Sequence, residues 1–564
     1  MILKQRMKAA MGTAATVAAA ASVMLTATPA DACGGFFCNN QPVDQTGENI
    51  LFVQQGDEIE AHVNIFYQGE AEDFAWIVPT PSRPEVGIST ADLFTRLNQR
   101  VGVRFELEYR SNGDCYFNAF PDDDDAFDDS EPSAPEDNGG GVTVVEQSSV
   151  GPFDFAVLQA TSSEALLSWL QDNSYDIPDD VGPFIEPYLI QDSQMHFVAF
   201  RLQNNRDVGD IAPVTLRYNS SAPMIPIQLT AIATQPDMGV RAHILAQERA
   251  VPENYLHVQI NEARVNWFGN GNNYNQLVTD AMNEAGGQGF VTEYAGDTEP
   301  MRESLYREGQ YDTAALAEIE DPLEFMAELQ SQGFVGTPQL MAMLERYIPV
   351  PEGVDARSFY NCLECFADQI DRQSFDSVAF ANELEASIVE PLRHAQELFD
   401  TTPYLTRLFT TLSAEEMTRD PGFAYNADMP TVSNIHKAIA DFECEGQDFG
   451  QGTYTLTLED GRTINGDLSD AIGGRLNDDA DAPAAAVIEQ TNGAGGPEVV
   501  RDIKTGEDRL DEVLEERNNP RVLPTGGDLE SGVGCSTVPG GTGTASTVLL
   551  LLLVGAGLRR RRQQ

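Results

Sequence analysis

Cys362-Leu363-Glu364-Cys365 carries the two-residue spacing found in redox-active thiol pairs. A reactive pair normally opens a helix after a strand, where the helix dipole lowers one thiol's pKa. Here a helical pattern stands on both sides, so a structural disulfide is the better reading. No second Cys or His pair stands at a spacing that would complete a zinc site. The acidic insertion 121–141 offers a different chemistry, through Asp122, Asp123, Asp124, Asp125, Asp128 and Asp129. Carboxylate oxygens suit calcium, a hard cation. The insertion lacks the alternating Asp/Asn spacing, central Gly and closing Glu of a calcium loop, so it reads first as a solvated loop between paired strands. Calcium is the one cofactor it leaves as an alternative.

Six histidines, His62, His196, His243, His257, His394 and His436, are scattered along the chain. None belongs to a His-Glu-x-x-His motif or an i, i+4 helical pair, and each reads as a strand or surface residue rather than a ligand. A triad assembled from distant residues stays open, because triads are defined by geometry. No Gly-x-Ser-x-Gly elbow anchors one. Gly269-x-Gly271 lies between a strand and a helix, where a dinucleotide fingerprint belongs, but Tyr274 holds the third glycine position. A tight turn with an Asn cap is the simpler reading. Trp76, Trp169 and Trp267 sit within apolar patterns and read as core rather than as sugar platforms.

The elements that must position these groups predict an α+β protein. Residues 33–268 form a strand-rich part. Ile50 to Tyr67 is a hairpin around Gln55-Gly56-Asp57, with Ile59, Ala61, Val63, Ile65 and Tyr67 alternating toward one face. Further strands are predicted at Phe74–Val78, at Val103–Tyr109, at Phe153–Val157, and across His196–Leu202, Val214–Tyr218, Ile225–Ile232, Val240–Leu245 and Leu256–Phe268. Ser162 and Ser163 precede a capped helix. Residues 269–445 are predicted to be a mainly helical domain. Asp321-Pro322 and Thr337-Pro338 each place a capping residue before a first-turn proline. The region 446–534 reads as a short hairpin, Tyr454 to Ile464, followed by a flexible acidic stalk in which only Arg509 to Arg517 suggests a short helix.

Both ends carry addresses. Residues 1–32 read as a signal peptide: Lys4, Arg6 and Lys8 precede an Ala-rich apolar stretch ending at Ala30-Asp31-Ala32, which would leave Cys33 first. Residues 535–564 read as a sorting or anchor segment, in which Cys535 precedes the apolar run Ala545–Leu558 and Arg559–Arg562. That run spans about 21 Å as a helix, short of a bilayer core of about 30 Å. Seven of the 34 basic residues lie in these ends but only one of the 89 acidic ones, which leaves 27 bases against 88 acids, a net charge of minus 61. Nucleic acid is thereby excluded as a partner, and a membrane partner is confined to the C-terminal segment or its processed anchor. Setting Cys535 aside, Cys33, Cys38, Cys115, Cys362, Cys365 and Cys444 are an even set suited to an oxidising compartment. Cys33–Cys38, Cys362–Cys365 and Cys115–Cys444 are the preferred pairs among fifteen possible pairings.

Several stretches resemble a bacterial exported family, domain of unknown function 2330. They are Ala32-Cys33-Gly34-Gly35-Phe36-Phe37-Cys38, the Ile50–Tyr67 hairpin, Trp76-Ile77-Val78-Pro79-Thr80-Pro81, Ala222-Pro223-Met224-Ile225-Pro226 with Leu229-Thr230-Ala231-Ile232-Ala233, and Glu284-Ala285-Gly286-Gly287 before Phe290-Val291-Thr292-Glu293. The resemblance runs from about Cys33 to Phe423 and implies an extracytoplasmic protein with no established activity. The tail around Gly534-Cys535-Ser536 resembles the MYXO-CTERM sorting signal, in a sparse form with a single cysteine.

These readings make the expected protein an exported one of the cell surface or outer membrane of a Gram-negative bacterium, with release from the cell as an alternative. Its partners would be the export machinery, signal peptidase and a C-terminal sorting protease. Its expected role is structural or binding rather than catalytic; the alternatives are an exported hydrolase with an unfamiliar site and a calcium-dependent adhesion protein. Mass spectrometry of the protein recovered from cells is expected to find a start at Cys33 and an end near Cys535. Chains that mostly retain Gln564 would defeat the sorting reading.

Overall fold

The chain opens with a hairpin, β1 (Asp44–Gln55) and β2 (Glu58–Gln68). Gly56 takes a φ of +65° at its turn, a conformation that glycine adopts without steric cost. The structure, a computed structural model, describes residues 44–68, 74–112, 143–173, 175, 181–191, 195–203, 206, 208–232, 234–444, 452–468 and 482–518. The signal segment 1–32, Cys33, Cys38, Cys115, the insertion 121–141 with its calcium candidates, and the segment 535–564 lie outside the described residues. Everything described as far as Leu514 belongs to one unit, and Glu515 begins a second.

After the hairpin come β3 (Ala75–Thr80), β4 (Glu85–Ile88), α1 (Ala91–Val101) and β5 (Arg104–Asn112). Next follow β6 (Thr143–Val150), β7 (Phe153–Gln159), α2 (Ser163–Asp172), α3 (Gly182–Gln191), β8 (His196–Leu202) and β9 (Val214–Asn219). The Ser162 hydroxyl caps α2 by accepting from the Ala165 N–H. Where a strand is predicted over Ile225–Ile232, the chain instead forms the short helix α4 (Ile227–Thr230). Pro223 and Pro226 bring no N–H to a ladder, and Pro226 sits at the helix start.

The strands β10 (Thr234–Ala246), β11 (Ala250–Pro252) and β12 (Leu256–Ile260) lead to α5 (Tyr274–Glu284) and β13 (Gly289–Asp297). A helical run then holds α6 (Thr313–Ala317), α7 (Pro322–Ser331), α8 (Pro338–Tyr347), α9 (Ala356–Asn361), α10 (Ser377–Leu384) and α11 (Glu390–Thr401). Asp321 caps α7 and Thr337 caps α8, each ahead of a first-turn proline. The chain returns to strands with β14 (Tyr404–Leu412), β15 (Phe423–Tyr425), β16 (Ile435–Cys444), β17 (Gly452–Leu458) and β18 (Thr463–Asp467). Last come β19 (Ala485–Gln490), β20 (Glu498–Asp502), β21 (Glu507–Asp508) and α12 (Leu510–Asn518).

A central sheet has the order β21-β20-β19-β12-β13-β14-β10-β1-β2-β9-β4. Strand β1 is antiparallel to β2 and parallel to β10. One face of this sheet, with Ile50, Phe52, Ile59, Ala61, Val63, Val240, Ala242 and Ile244, packs against Trp76, Phe153, Phe155, Val198 and Phe200 of a smaller sheet, β3-β8-β7-β6. Helices α2 and α3 cover the far side of that small sheet through Leu166, Trp169, Leu170 and Ile185. The other face of the central sheet, with Leu51, Val53, Leu245 and Leu405, packs against α1, α7, α8, α10 and α11. A third sheet, β18-β17-β16-β5, shares a core with Trp267, α5 and α12.

Two predicted boundaries differ from what is found. Residues 269–445 do hold the helical run α6–α11, but β13 and β14 from the same stretch complete the central sheet begun by β1, β2 and β10, so strands from both sides of residue 268 share one sheet. Residues 482–508, predicted as stalk, are folded: β19 pairs antiparallel with β12, and Ala484, Ala485, Ile488 and Val500 are buried. The reason is local. Ala484-Ala485-Ala486-Val487-Ile488 is a compact apolar run whose signal is averaged away by the Asp, Gly and Pro around it. Residues 519–534 lie outside the described residues.

Ile488 is fully buried on β19, so Ile488→Ala is expected to destabilise the protein by about 2–4 kcal/mol, read by chemical denaturation. An unchanged midpoint would return this segment to the stalk.

Candidate functional site: an inter-sheet cavity and the buried histidines

A cavity of about 110 Å³ lies where the two sheets meet. Ile50, Phe52, Ala61 and Val63 line it from β1 and β2, Trp76, Val78 and Pro79 from β3, and Ala222, Met224 and Leu229 from the segment leading through α4. Alternation along β1 and β2 sends these side chains to one face, and the Trp76 ring is fixed by stacking on Phe200 at a centroid distance of 5.3 Å. The cavity is somewhat smaller than the apolar cavity of about 150 Å³ that accommodates benzene in another protein.

The walls are apolar with hydroxyls from Thr80, Tyr218 and Ser220, and one acidic side chain, Glu48, lines the cavity among the described residues. Glu48 shares the parity of Ile50 and Phe52 on β1, so the strand places it toward the cavity. Burial pushes its carboxyl up to about 7, because the surroundings withhold the water that would solvate the ion. The chemistry available is that of a carboxyl ready to accept a cation or a strong hydrogen-bond donor.

The histidines have unequal surroundings. His62 is buried on β2, and its Nδ1 lies 2.8 Å from Ser89 Oγ. Its Nε2 lies 3.2 Å from Glu60 Oε1 but lacks the alignment of a hydrogen bond, leaving that nitrogen buried without a partner. His394, half-buried on α11, brings its Nε2 to 2.6 Å from the same Glu60 oxygen. Arg217 holds the second Glu60 oxygen at 2.9 Å. Burial opposes ionisation of Glu60, but the hydrogen bond from His394, the nearby His62 ring and the hydrogen bond from Arg217 outweigh it and hold the carboxyl far below its usual range. The hydrogen bond to Glu60 raises the pKa of His394 in turn. Glu60, His62 and His394 thus gather three potential metal-ligand atoms within 4.8 Å of one another. Spacing rules tuned to helices pass over this group; the legible signal was Glu60-x-His62 on a strand, two residues that share a face.

His257 stands in a nucleophile–base–acid order, with Nε2 2.9 Å from Thr292 Oγ1 and Nδ1 3.0 Å from Glu489 Oε2. Arg249 also donates to the Thr292 hydroxyl, at 3.2 Å, and all four residues are buried. This is an internal polar network that ties β19 to β12 and β13. His243 accepts no proton readily, since burial and then Arg407 lower its pKa; its Nδ1 faces the Ile50 carbonyl at 3.3 Å. His436 pairs with Glu262 at 2.7 Å, and His196 is buried opposite Thr80 in the small sheet.

Cys362 and Cys365 are joined by a disulfide between α9 and the following turn. Cys444 closes β16. The Gly269–Gly271 segment is a tight turn in which the Asn266 side chain accepts from the Gly269 N–H. At Gly271, with φ +74°, an added Cβ would come within 2.1 Å of the Phe105 ring. Trp76, Trp169 and Trp267 are all core residues. Among the described residues, no helix is long and apolar enough to cross a membrane.

Glu48 yields a prediction about pH. A carboxyl raised from 4.5 to about 7 holds its proton more tightly in the folded state, so its contribution to stability is greatest below 4.5 and falls as pH rises through about 7. Glu48→Gln is therefore expected to stabilise the protein at pH 8 by about 1–3 kcal/mol. The gain should shrink on acidification and vanish near pH 4.5, as followed by denaturation at several pH values.

No curated protein and no solved structure matches this chain. A family model does match residues 27–305, which span β1 to the end of β13 and so include the cavity walls, Glu48, Glu60 and His62, but not His394. The matching model is that of the family DUF2330, described as an uncharacterized protein conserved in bacteria.

Proposed function

We propose that this is an exported bacterial binding protein whose inter-sheet cavity holds a small ligand with a short apolar body and a cationic head. The observation that carries the reading is Glu48, a carboxyl without an ion-pair partner among the described residues, facing a mainly apolar cavity. A cation placed there would recover the solvation that burial takes from the carboxylate, and Trp76 and Phe52 would cover the apolar part. One carboxyl with neighbouring hydroxyls has the equipment to bind, and lacks the paired nucleophile and base that hydrolysis needs. Much of the wall comes from stretches inside the family match, Trp76–Pro81 and Ala222–Thr230.

Export is supported by the basic and apolar amino terminus, the acidic composition and the Cys362–Cys365 disulfide, which suits an oxidising compartment. In this reading signal peptidase acts after Ala32, and a sorting protease acts near Cys535 to leave the protein at the cell surface.

Calorimetric titration with propylammonium and butylammonium tests the cavity. Binding is expected to strengthen about tenfold between pH 6 and pH 8, as Glu48 ionises through about 7. Glu48→Gln should remove both the affinity and its pH dependence. No heat with either amine, or equal affinity in the variant, would sink the reading.

A further inference from the structure

We infer that Glu60, His62 and His394 form a zinc site that joins the central sheet to helix α11, with a fourth position open to water. The site lies on the face of β2 opposite the cavity and stands independently of the binding role proposed for Glu48.

The donor set suits the metal. Two imidazole nitrogens and one carboxylate oxygen are ligands for a borderline first-row ion, and three protein ligands with an open position is the arrangement of non-structural zinc sites. Zinc bonds of about 2.0–2.1 Å place tetrahedral ligand atoms about 3.3 Å apart. Glu60 Oε1 and His62 Nε2 are already 3.2 Å apart. Glu60 Oε1 and His394 Nε2 are closer, at 2.6 Å, and share a hydrogen bond in place of a metal. Admitting the ion needs Glu60 Oε1 and His394 Nε2 to part by about 0.7 Å, and the His394 side chain, 40 % exposed, has room to retreat.

An independent observation points to a ligand. His62 Nε2 is buried, with the residue 1 % exposed, and lies 3.2 Å from Glu60 Oε1 without a hydrogen bond. Leaving such an atom unsatisfied is costly, and a metal–nitrogen bond would satisfy it. The opposite ring nitrogen is already supported: Nδ1–H donates to Ser89 Oγ at 2.8 Å in the tautomer that frees Nε2 for metal. Ser89 is itself held by its backbone N–H, which donates to the Pro213 carbonyl at 2.7 Å. Outer hydrogen bonds of this kind fix the ring orientation of metal-bound histidines. Glu60 is oriented in the same way, its second oxygen held by Arg217.

The local charge favours a cation despite that arginine. Arg217 is surrounded by three carboxylates, Glu60 at 2.9 Å, Glu58 at 3.5 Å and Glu85 at 3.6 Å, so the neighbourhood remains negative when both histidines are neutral. The half-exposed side of His394 supplies the route from solvent and the open fourth position.

The test uses the full mature protein, chelator-buffered Zn²⁺ at pH 7.5, and Co²⁺ as a spectroscopic probe. One Zn²⁺ per chain is expected, with a rise in thermal midpoint that EDTA reverses, and Co²⁺ should give the intense visible bands of a four-coordinate ion. His394→Ala changes a half-exposed helical residue and should lower affinity at least 100-fold while the circular dichroism spectrum stays unchanged. Should that variant misfold, Ser89→Ala carries the test, with affinity expected to fall about 10–100-fold because the His62 ring loses its support. Zinc affinity in the folded variant equal to that of the unaltered protein, or weak Co²⁺ bands like those of the hydrated ion, would overturn the inference by assigning all binding to surface carboxylates.

Discussion

The central sheet is buried on both faces, and one of those faces carries charge. Along β14, β10 and β2, the side chains that alternation turns toward the helices include Arg407, Arg241, His243, Glu60 and His62. Removing such groups from water costs several kcal/mol each unless they are paired. The pairing therefore constrains what can cover them. Arg407 meets Glu293 of β13 at 2.5 Å and Asn98 of α1 at 2.9 Å. Arg241 lies over the Phe409 ring and donates to Asn275 of α5. His394 of α11 closes on Glu60. Each contact fixes one helix over one part of the sheet, so the polar groups set the positions of α1, α5 and α11 while the surrounding Leu51, Val53, Leu97 and Leu398 supply the apolar burial.

Strand β2 shows how a single strand serves two chemistries. Ala61 and Val63 line the cavity shared with the small sheet, while Glu60 and His62 point to the helical side. The period of two that makes a half-apolar strand fold also separates an apolar compartment from a charged one, a single sheet thickness apart. A one-residue slip in the register of β1 and β2 would exchange the two sets, placing carboxylate and imidazole in the cavity. The eleven backbone pairs from Asp44↔Gln68 to Gln55↔Glu58, with one irregularity near Gly47, hold that register.

The family-matched region is not a complete folding unit. Its strands β10 and β13 are separated in the sheet by β14, which the chain supplies some hundred residues after the match ends, and β12 gains its second neighbour from β19, later still. Without β14, both β10 and β13 would be edges with open hydrogen-bonding groups. The helical run α6–α11 is thus an excursion between two adjacent strands rather than a separate domain, and it covers the sheet face that its return strand completes.

Local signals in the sequence determined much of this architecture. The β1–β2 hairpin with its Gly56 turn, the β17–β18 hairpin turning at Asp460-Gly461, the Ser162 cap and the Asp321 and Thr337 caps ahead of proline all arise within a few residues, where backbone preference and side-chain hydrogen bonds act without help from the rest of the chain. Strand β19 was hidden because five apolar residues in an Asp/Gly-rich stretch become a strand only when β12 offers them a partner. The same limit governed chemistry. Cys362 and Cys365, three residues apart, could be read as a disulfide from the chain alone. Glu48 became distinctive only when two sheets closed around it, and His394 met Glu60 and His62 only when a helix more than three hundred residues away was laid across their strand. Spacing along a chain encodes contacts within a turn or a hairpin; burial and the meeting of distant ligands depend on how whole layers pack, and that was decided by tertiary structure.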